Sequence, residues 1–186
     1  MLYSLRVPDW QCDHFRLSPA RGAGHGESLK HFAIQAGDCL LADRGFSHLA
    51  GLDHVQRHGG HVIVRLNEQN TPLENKDGSP VELLQWLAKL HEPGAVGGRP
   101  VWVRTRKGGT LAERVPARLC AVRKSMEAAT LARRKLHRRA QRQGQELRAV
   151  TLEHSAWIVV LTTVATETLA DDAVLQWYRV RQGFWF

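Results

Sequence analysis

The sequence predicts an α/β protein with a mixed sheet interrupted by a β-rich insertion, and three stretches predict it. Between Cys39 and Leu66 a buried strand, a helix and a second buried strand follow without a break. Between 67 and 125, Val101 to Arg106 and Ala117 to Val122 read as strands joined across Gly108-Gly109. Beyond them Ala156 to Thr163 is strongly apolar and leads to a helix from Ala170 to Arg181. The expected division is a partial core over 1–66, a β-rich insertion ending in a basic helix over 67–155, and a return strand with a truncated final helix over 156–186.

In chain order, Leu2 to Val7 and Cys12 to Leu17 are two short extended segments flanking Pro8-Asp9, the pattern of a hairpin. Glu27 to Phe32 is a short helix after a glycine-rich loop. Cys39-Leu40-Leu41-Ala42 is a buried strand, and Ser47 to His58 carries Leu49, Leu52 and Val55 at helical spacing before Gly59-Gly60 stops it. His61 to Leu66 is the second strand. Two such apolar strands around a helix predict parallel pairing, with Asp43 at the carboxyl end of the first. In open α/β sheets that end carries ligands and catalytic groups. Ser79-Pro80-Val81-Glu82 has the form of a capping box with proline at the first helical position, and the helix should run to about His91. Glu92 to Gly98 is read as a glycine-rich turn. Asp9, Asp13 and Asp38 are read as turn residues, while Asp171 and Asp172 suit the first turn of the last helix.

A length of 186 residues with 43% hydrophobic side chains supports one core and excludes extended disorder. The longest apolar run, Ala156 to Leu161, is six residues, whereas a spanning helix needs about twenty, so no membrane association is expected. The opening twenty residues lack the organisation of a secretory signal, and three widely spaced cysteines, Cys12, Cys39 and Cys120, do not form a disulfide framework. A cytoplasmic location follows, with reduced thiols acting mainly as small buried groups.

The net charge of +8 is concentrated. Ala121 to Arg148 holds nine Lys/Arg against Glu127 and Glu146, which is +7. Ser125 can cap a helix from about Met126 to Gln143, with Ala128, Ala132, Leu136 and Ala140 as a thin apolar line and Gly144 as its end. Arg133, Arg134, Lys135, Arg138, Arg139 and Arg142 then repel one another unless a polyanion or solvent screens them. A phosphate backbone matches guanidinium groups and gives salt-sensitive affinity without sequence choice. Ten histidines invite a metal reading, and His54 and His58 share a helix face, but neither an intervening glutamate nor a cysteine pair completes a zinc motif. No nucleophile elbow or phosphate-loop lysine is present.

Four places resemble the insertion sequence four family of cut-and-paste bacterial transposases. They are Cys12-Asp13-His14-Phe15 with Gly26-Glu27-Ser28-Leu29, Gly37-Asp38 through Asp43-Arg44-Gly45-Phe46, Gly59-Gly60 leading to Val64-Arg65-Leu66-Asn67, and Leu161-Thr162-Thr163 before Trp177-Tyr178-Arg179-Val180-Arg181. The resemblance covers about residues 2 to 181. It implies a ribonuclease-H-like catalytic domain of the DDE class, in which three carboxylates hold two Mg²⁺ ions about 4 Å apart for in-line displacement at DNA phosphorus. It further implies that Asp43 is the second carboxylate, a catalytic residue and metal ligand. Tyr178 and Arg181 would contact phosphates near the cleaved end, with Arg44 beside Asp43 and Arg133, Arg134, Arg138 and Arg139 as further DNA contacts.

Two departures from the family pattern bear on activity. No aspartate heads an apolar strand before Leu2, and the position four after Arg181, where the family has glutamate, is Trp185. The expectation is therefore a catalytically incomplete fragment, lacking the opening strand and the last catalytic helix. The alternative is a non-catalytic basic module that binds double-stranded DNA and pairs with an intact transposase or with itself, and a third reading is a remnant without a role.

Overall fold

The computed structural model describes residues 2–6, 9, 11–17, 28–104 and 114–182. The glycine-rich loop before Ser28, Gly108-Gly109 and Trp185 lie outside them. A two-stranded antiparallel hairpin, β1 (Leu2–Leu5) and β2 (Cys12–Arg16), stands apart from a six-stranded mixed sheet. The sheet consists of β3 (Cys39–Ala42), β4 (His61–Arg65), β5 (Leu73–Glu74), β6 (Val96–Val103), β7 (Val115–Arg123) and β8 (Trp157–Thr162). Its order is β3-β4-β8-β7-β6-β5. As the apolar strand, helix, strand pattern predicts, β3 and β4 are parallel, with Cys39 opposite His61 and Ala42 opposite Val64. Every other neighbour is antiparallel. The strands of segment 67–155 thus continue the same sheet, because β7 pairs with β8 along its length from Arg118 to Arg123.

The alternation of side chains along these strands builds two cores. Val62, Val64, Leu119, Ala121 and Leu161 point to one face and meet Leu52 and Val55 of α1 (Leu49–Arg57) and Leu83 and Leu87 of α2 (Leu83–Ala88). Ile63, Cys120 and Val160 point to the other and meet Val174, Leu175 and Tyr178 of α5 (Asp171–Gln182). Each fully buried leucine or valine contributes about 1.5–3 kcal/mol, so the three-layer stack is held mainly by these alternating positions. On α1 the apolar spacing works as expected, and His48 caps it, its ring nitrogen accepting from Gly51 N.

Several local expectations are corrected. Ser79 does not begin a helix: its hydroxyl donates to Asp77 Oδ1 at 2.7 Å inside a tight turn that Gly78 closes at φ 88°, and α2 starts four residues later without a side-chain cap. Val96-Gly97-Gly98-Arg99 is strand, and the turn lies before it, closed by Ala95 N donating to Glu92 O at 2.9 Å with Gly94 at φ 83°. Leu90 packs over Gly97, where a Cβ would lie 2.8 Å from Leu90 Cδ2. Asp13 lies on β2, while Asp38 serves a turn by accepting from Gln35 N. A further helix, α4 (Ala149–His154), had no signal strong enough to be foreseen. Of the cysteines only Cys120 is buried. Among the described residues no helix is long and apolar enough to cross a membrane.

Candidate nucleic-acid interface

One rim of the sheet gathers the polar groups. Parallel β3 and β4 end there, at Asp43 and at Leu66-Asn67, and because β8 and β7 run antiparallel to each other, Trp157 opens β8 beside Arg123 at the end of β7. Asp43 is exposed and adopts an extended conformation (φ −78°, ψ 168°) ahead of a 3₁₀ turn over Arg44–Phe46. Its Oδ1 accepts from Arg44 N at 2.7 Å. The turn is locked from below by Ser47, which is fully buried and hydrogen-bonded through its hydroxyl to Thr71 at 2.8 Å. Asn67 N donates to the same hydroxyl at 3.4 Å, and Arg44 Nη2 donates to Asn67 Oδ1 at 3.3 Å. The two loops that follow the parallel strands therefore hold each other. Asp43 and Arg44 are presented side by side toward solvent.

Further along the rim, Lys124 Nζ donates to Ser155 O at 2.6 Å, and its pKa is pushed down to about 8 by burial and by the positive Arg65. The Arg123 guanidinium lies 4.2 Å from the Trp157 ring centroid, and Trp157 Nε1 donates to Leu90 O. His154 Nδ1 and Glu68 Oε1 are 2.5 Å apart, tying α4 to the loop after β4.

Immediately past Lys124, the 18-residue α3 (Met126–Gln143) leaves this rim. Ser125 caps it, accepting from Ala128 N at 3.2 Å, and Gly144 ends it in the left-handed conformation at φ 59°, both as the sequence predicts. The apolar line needs one correction: Ala129 and Ala140 are buried and Ala132 and Leu136 half-buried, whereas Ala128 is exposed. The helix is about 27 Å long at 1.5 Å per residue and makes no extensive contact with any other element. Arg134, Arg138 and Arg142 repeat at fourfold spacing on the face away from the buried line, flanked by Lys135 and Arg139, all exposed. Among the described residues none of them is paired with a carboxylate. Arg133 differs. It lies next to the buried line and lines an open recess of about 400 Å³ with Arg123, Glu153 and Trp157.

β3 to β7 is three strand spacings, roughly 14 Å across the sheet, and the registers place Ala42 level with Leu119, so β7 runs on past the level of Asp43 before α3 begins on the same side of the sheet. A basic helix and an exposed carboxylate thus share one edge. Sequence periodicity does not show this, since strand order depends on which strands pair.

Other expected site residues fall elsewhere. Tyr178 is 2% exposed and packs in the second core, so a phosphate contact does not follow from its placement. Arg181 is a helical position near the end of α5. His54 Nε2 sits 3.2 Å from Phe32 O and His58 Nδ1 2.7 Å from His54 O, so both rings serve backbone carbonyls. Among the described residues no group of three or more His, Cys, Asp or Glu side chains converges as a metal ion would require. Asp43 is one hard oxygen donor of the kind Mg²⁺ takes, and by itself does not make the set that a two-ion centre needs.

The chain is 27% identical over 172 residues to the putative transposase InsL of insertion sequence element IS186A from Escherichia coli K12. It matches the transposase of insertion sequence element IS421 from Escherichia coli to the same extent. The alignment covers 92% of this chain and 45% of each relative, so the chain spans about half the length of the curated relatives it matches. No family model matches, and no solved structure gives a significant match.

Proposed function

We propose that the chain is part of a DNA transposase of the DDE class with a ribonuclease-H-like core, and that it grips the phosphates of double-stranded DNA at transposon ends. The similarity to two transposases over 92% of the chain supports the first part of this reading. The second rests on one observation: an exposed helix of unpaired arginines leaves the same sheet rim that carries Asp43. Guanidinium groups without protein carboxylates gain most from phosphate oxygens, and counterion release makes that gain salt-dependent. Arg134, Arg138 and Arg139 bind the backbone in this reading. Arg44, braced by Asn67, extends the track to Asp43. Arg181 adds a contact from α5.

Asp43 is the catalytic carboxylate in the same reading and would supply one ligand of the Mg²⁺ centre, whose chemistry when bound is activation of the attacking oxygen. Among the described residues no group of three such ligands converges around it. The 186-residue chain therefore binds duplex DNA without cutting it, in the cytoplasm at the nucleoid, alone, as a homodimer or beside an intact transposase. A non-catalytic DNA-binding module is the second reading, favoured by the fact that α3 needs no carboxylate at all to bind. The chain incubated with supercoiled plasmid and Mg²⁺ tests the proposal. Retardation without nicking is expected, and nicking abolished by Asp43→Ala would overturn the claim of catalytic incompleteness.

A further inference from the structure

Arg118 is 7% exposed on β7, on the face that α5 covers. Its Nη1 donates to Asp171 Oδ1, and its Nη2 donates to Leu169 O at 2.7 Å and Val164 O at 3.3 Å. One guanidinium thus holds the segment between β8 and α5 at three points. Asp171 is the first residue of α5, where a carboxylate also suits the positive end of the helix dipole. Gly98 on β6 makes room for that carboxylate, because a Cβ there would overlap it. The Cys120 thiol donates to the same Oδ1 at 3.4 Å.

Val174, Leu175 and Tyr178 are the buried residues of α5 among those described. Their burial specifies which face of the helix meets the sheet, and the attraction it supplies is non-directional. The buried ion pair and its two carbonyl hydrogen bonds are directional and so fix registry, while Arg118 Nε is buried with no hydrogen-bond partner among the described residues. From this anchor α5 crosses from β6 and β7 toward β4 and β3. Arg181 lies ten residues on, about 15 Å along the axis.

We infer that Arg118 is a positioning residue which sets where α5 lies on the sheet, and so couples the strand pair β6–β7 to the placement of Arg181 relative to the Asp43 rim. The DNA part of this inference rests on the reading of Arg181 given above; the placement of α5 does not.

The experiment separates the two. In a Cys12→Ser/Cys39→Ser background, spin labels at Arg57→Cys on α1 and Arg179→Cys on α5 report the distance between the helices across the sheet. The unaltered Arg118 protein should give one narrow distribution. Arg118→Met/Asp171→Leu removes the pair without stranding a charge, and Arg118→Lys keeps the cation but loses the fork to the two carbonyls. A residue that only stabilised the fold would leave the distribution narrow in the folded population of either variant, and that result overturns the inference. A broadened or shifted distribution is expected, and if the double variant does not fold, Arg118→Lys decides. In duplex binding, Arg181→Ala should cost about tenfold in the unaltered protein and less than about twofold with Arg118→Lys. If Arg181→Ala costs nothing in the unaltered protein, the DNA reading of α5 fails and the distance measurement still decides the role of Arg118.

Discussion

Replacing Arg134, Arg138 and Arg139 together by glutamine removes three exposed, unpaired guanidinium groups from α3. Each phosphate neutralised on duplex DNA contributes about 0.9 to the slope of log affinity against log salt, so the slope should flatten by about 2.7. Between 50 and 200 mM salt that is a fourfold change raised to the power 2.7, and the fall in affinity across the window should shrink by about 40-fold. Unfolding would not mimic this result. Glutamine is nearly as good a helix former as arginine, and the substitutions relieve like-charge neighbours such as Arg134 and Arg138 at a gain of about 0.2–0.5 kcal/mol per pair. Fluorescence anisotropy with duplexes of unrelated sequence at several salt concentrations is the assay, with helicity checked by circular dichroism. A slope that stays the same would refute the assignment of α3 to the phosphate backbone. Arg133→Gln alone should flatten the slope by less than about 0.5, because Arg133 faces the recess with Glu153 and Trp157 rather than the outer face.

Three further outcomes are expected. Alkylation of the native protein at pH 8 should label Cys12 and Cys39 and spare Cys120, whose thiol is pushed up to about 12 by burial; mass spectrometry of the peptides checks it. Stability should rise with pH between about 8 and 10.5, since the folded-state pKa of Lys124 lies below its ordinary value and the unfolded chain holds the extra proton over that window. Below pH 8 the cost is fully present, and Lys124→Met should abolish the rise in denaturant titrations. Gly60→Ala should destabilise by about 1–3 kcal/mol, because the new Cβ would lie 2.7 Å from Ile34 Cγ2 and 3.0 Å from Val55 Cγ1; an unchanged denaturation midpoint would show that this corner can relax.

Much of this architecture was legible in the sequence because its signals are local. Ser125, Gly144 and the charge pattern between them define α3 to the residue, and the apolar runs at Cys39–Ala42 and His61–Arg65 announce a parallel pair. The errors arise where another contact, near or far in the chain, outweighs the pattern. Ser79 and Glu82 match a capping box, yet the turn around Asp77 and Gly78 captures the serine hydroxyl first. Gly97 and Gly98 look like turn residues, but they pair with Ala121 and Cys120 of β7, and Leu90 and Asp171 occupy the space a Cβ would take. The site divides in the same way. Asp43 follows from its place after a buried strand, whereas the Ser47–Thr71 lock, the brace from Arg44 to Asn67 and the Arg118–Asp171 pair join residues 20 or more positions apart, and no spacing rule connects them. Tyr178 shows the converse: a motif placed it among DNA contacts, and its large apolar ring placed it in the core.

The central claim is that duplex DNA lies along the rim from Asp43 to α3. Amide hydrogen exchange of the 186-residue chain, with and without a 30-base-pair duplex at low salt, tests it most directly. Slowed exchange confined to 43–48 and 130–142 is the predicted result, and unchanged exchange in α3 with protection appearing instead on the β1–β2 hairpin would contradict it.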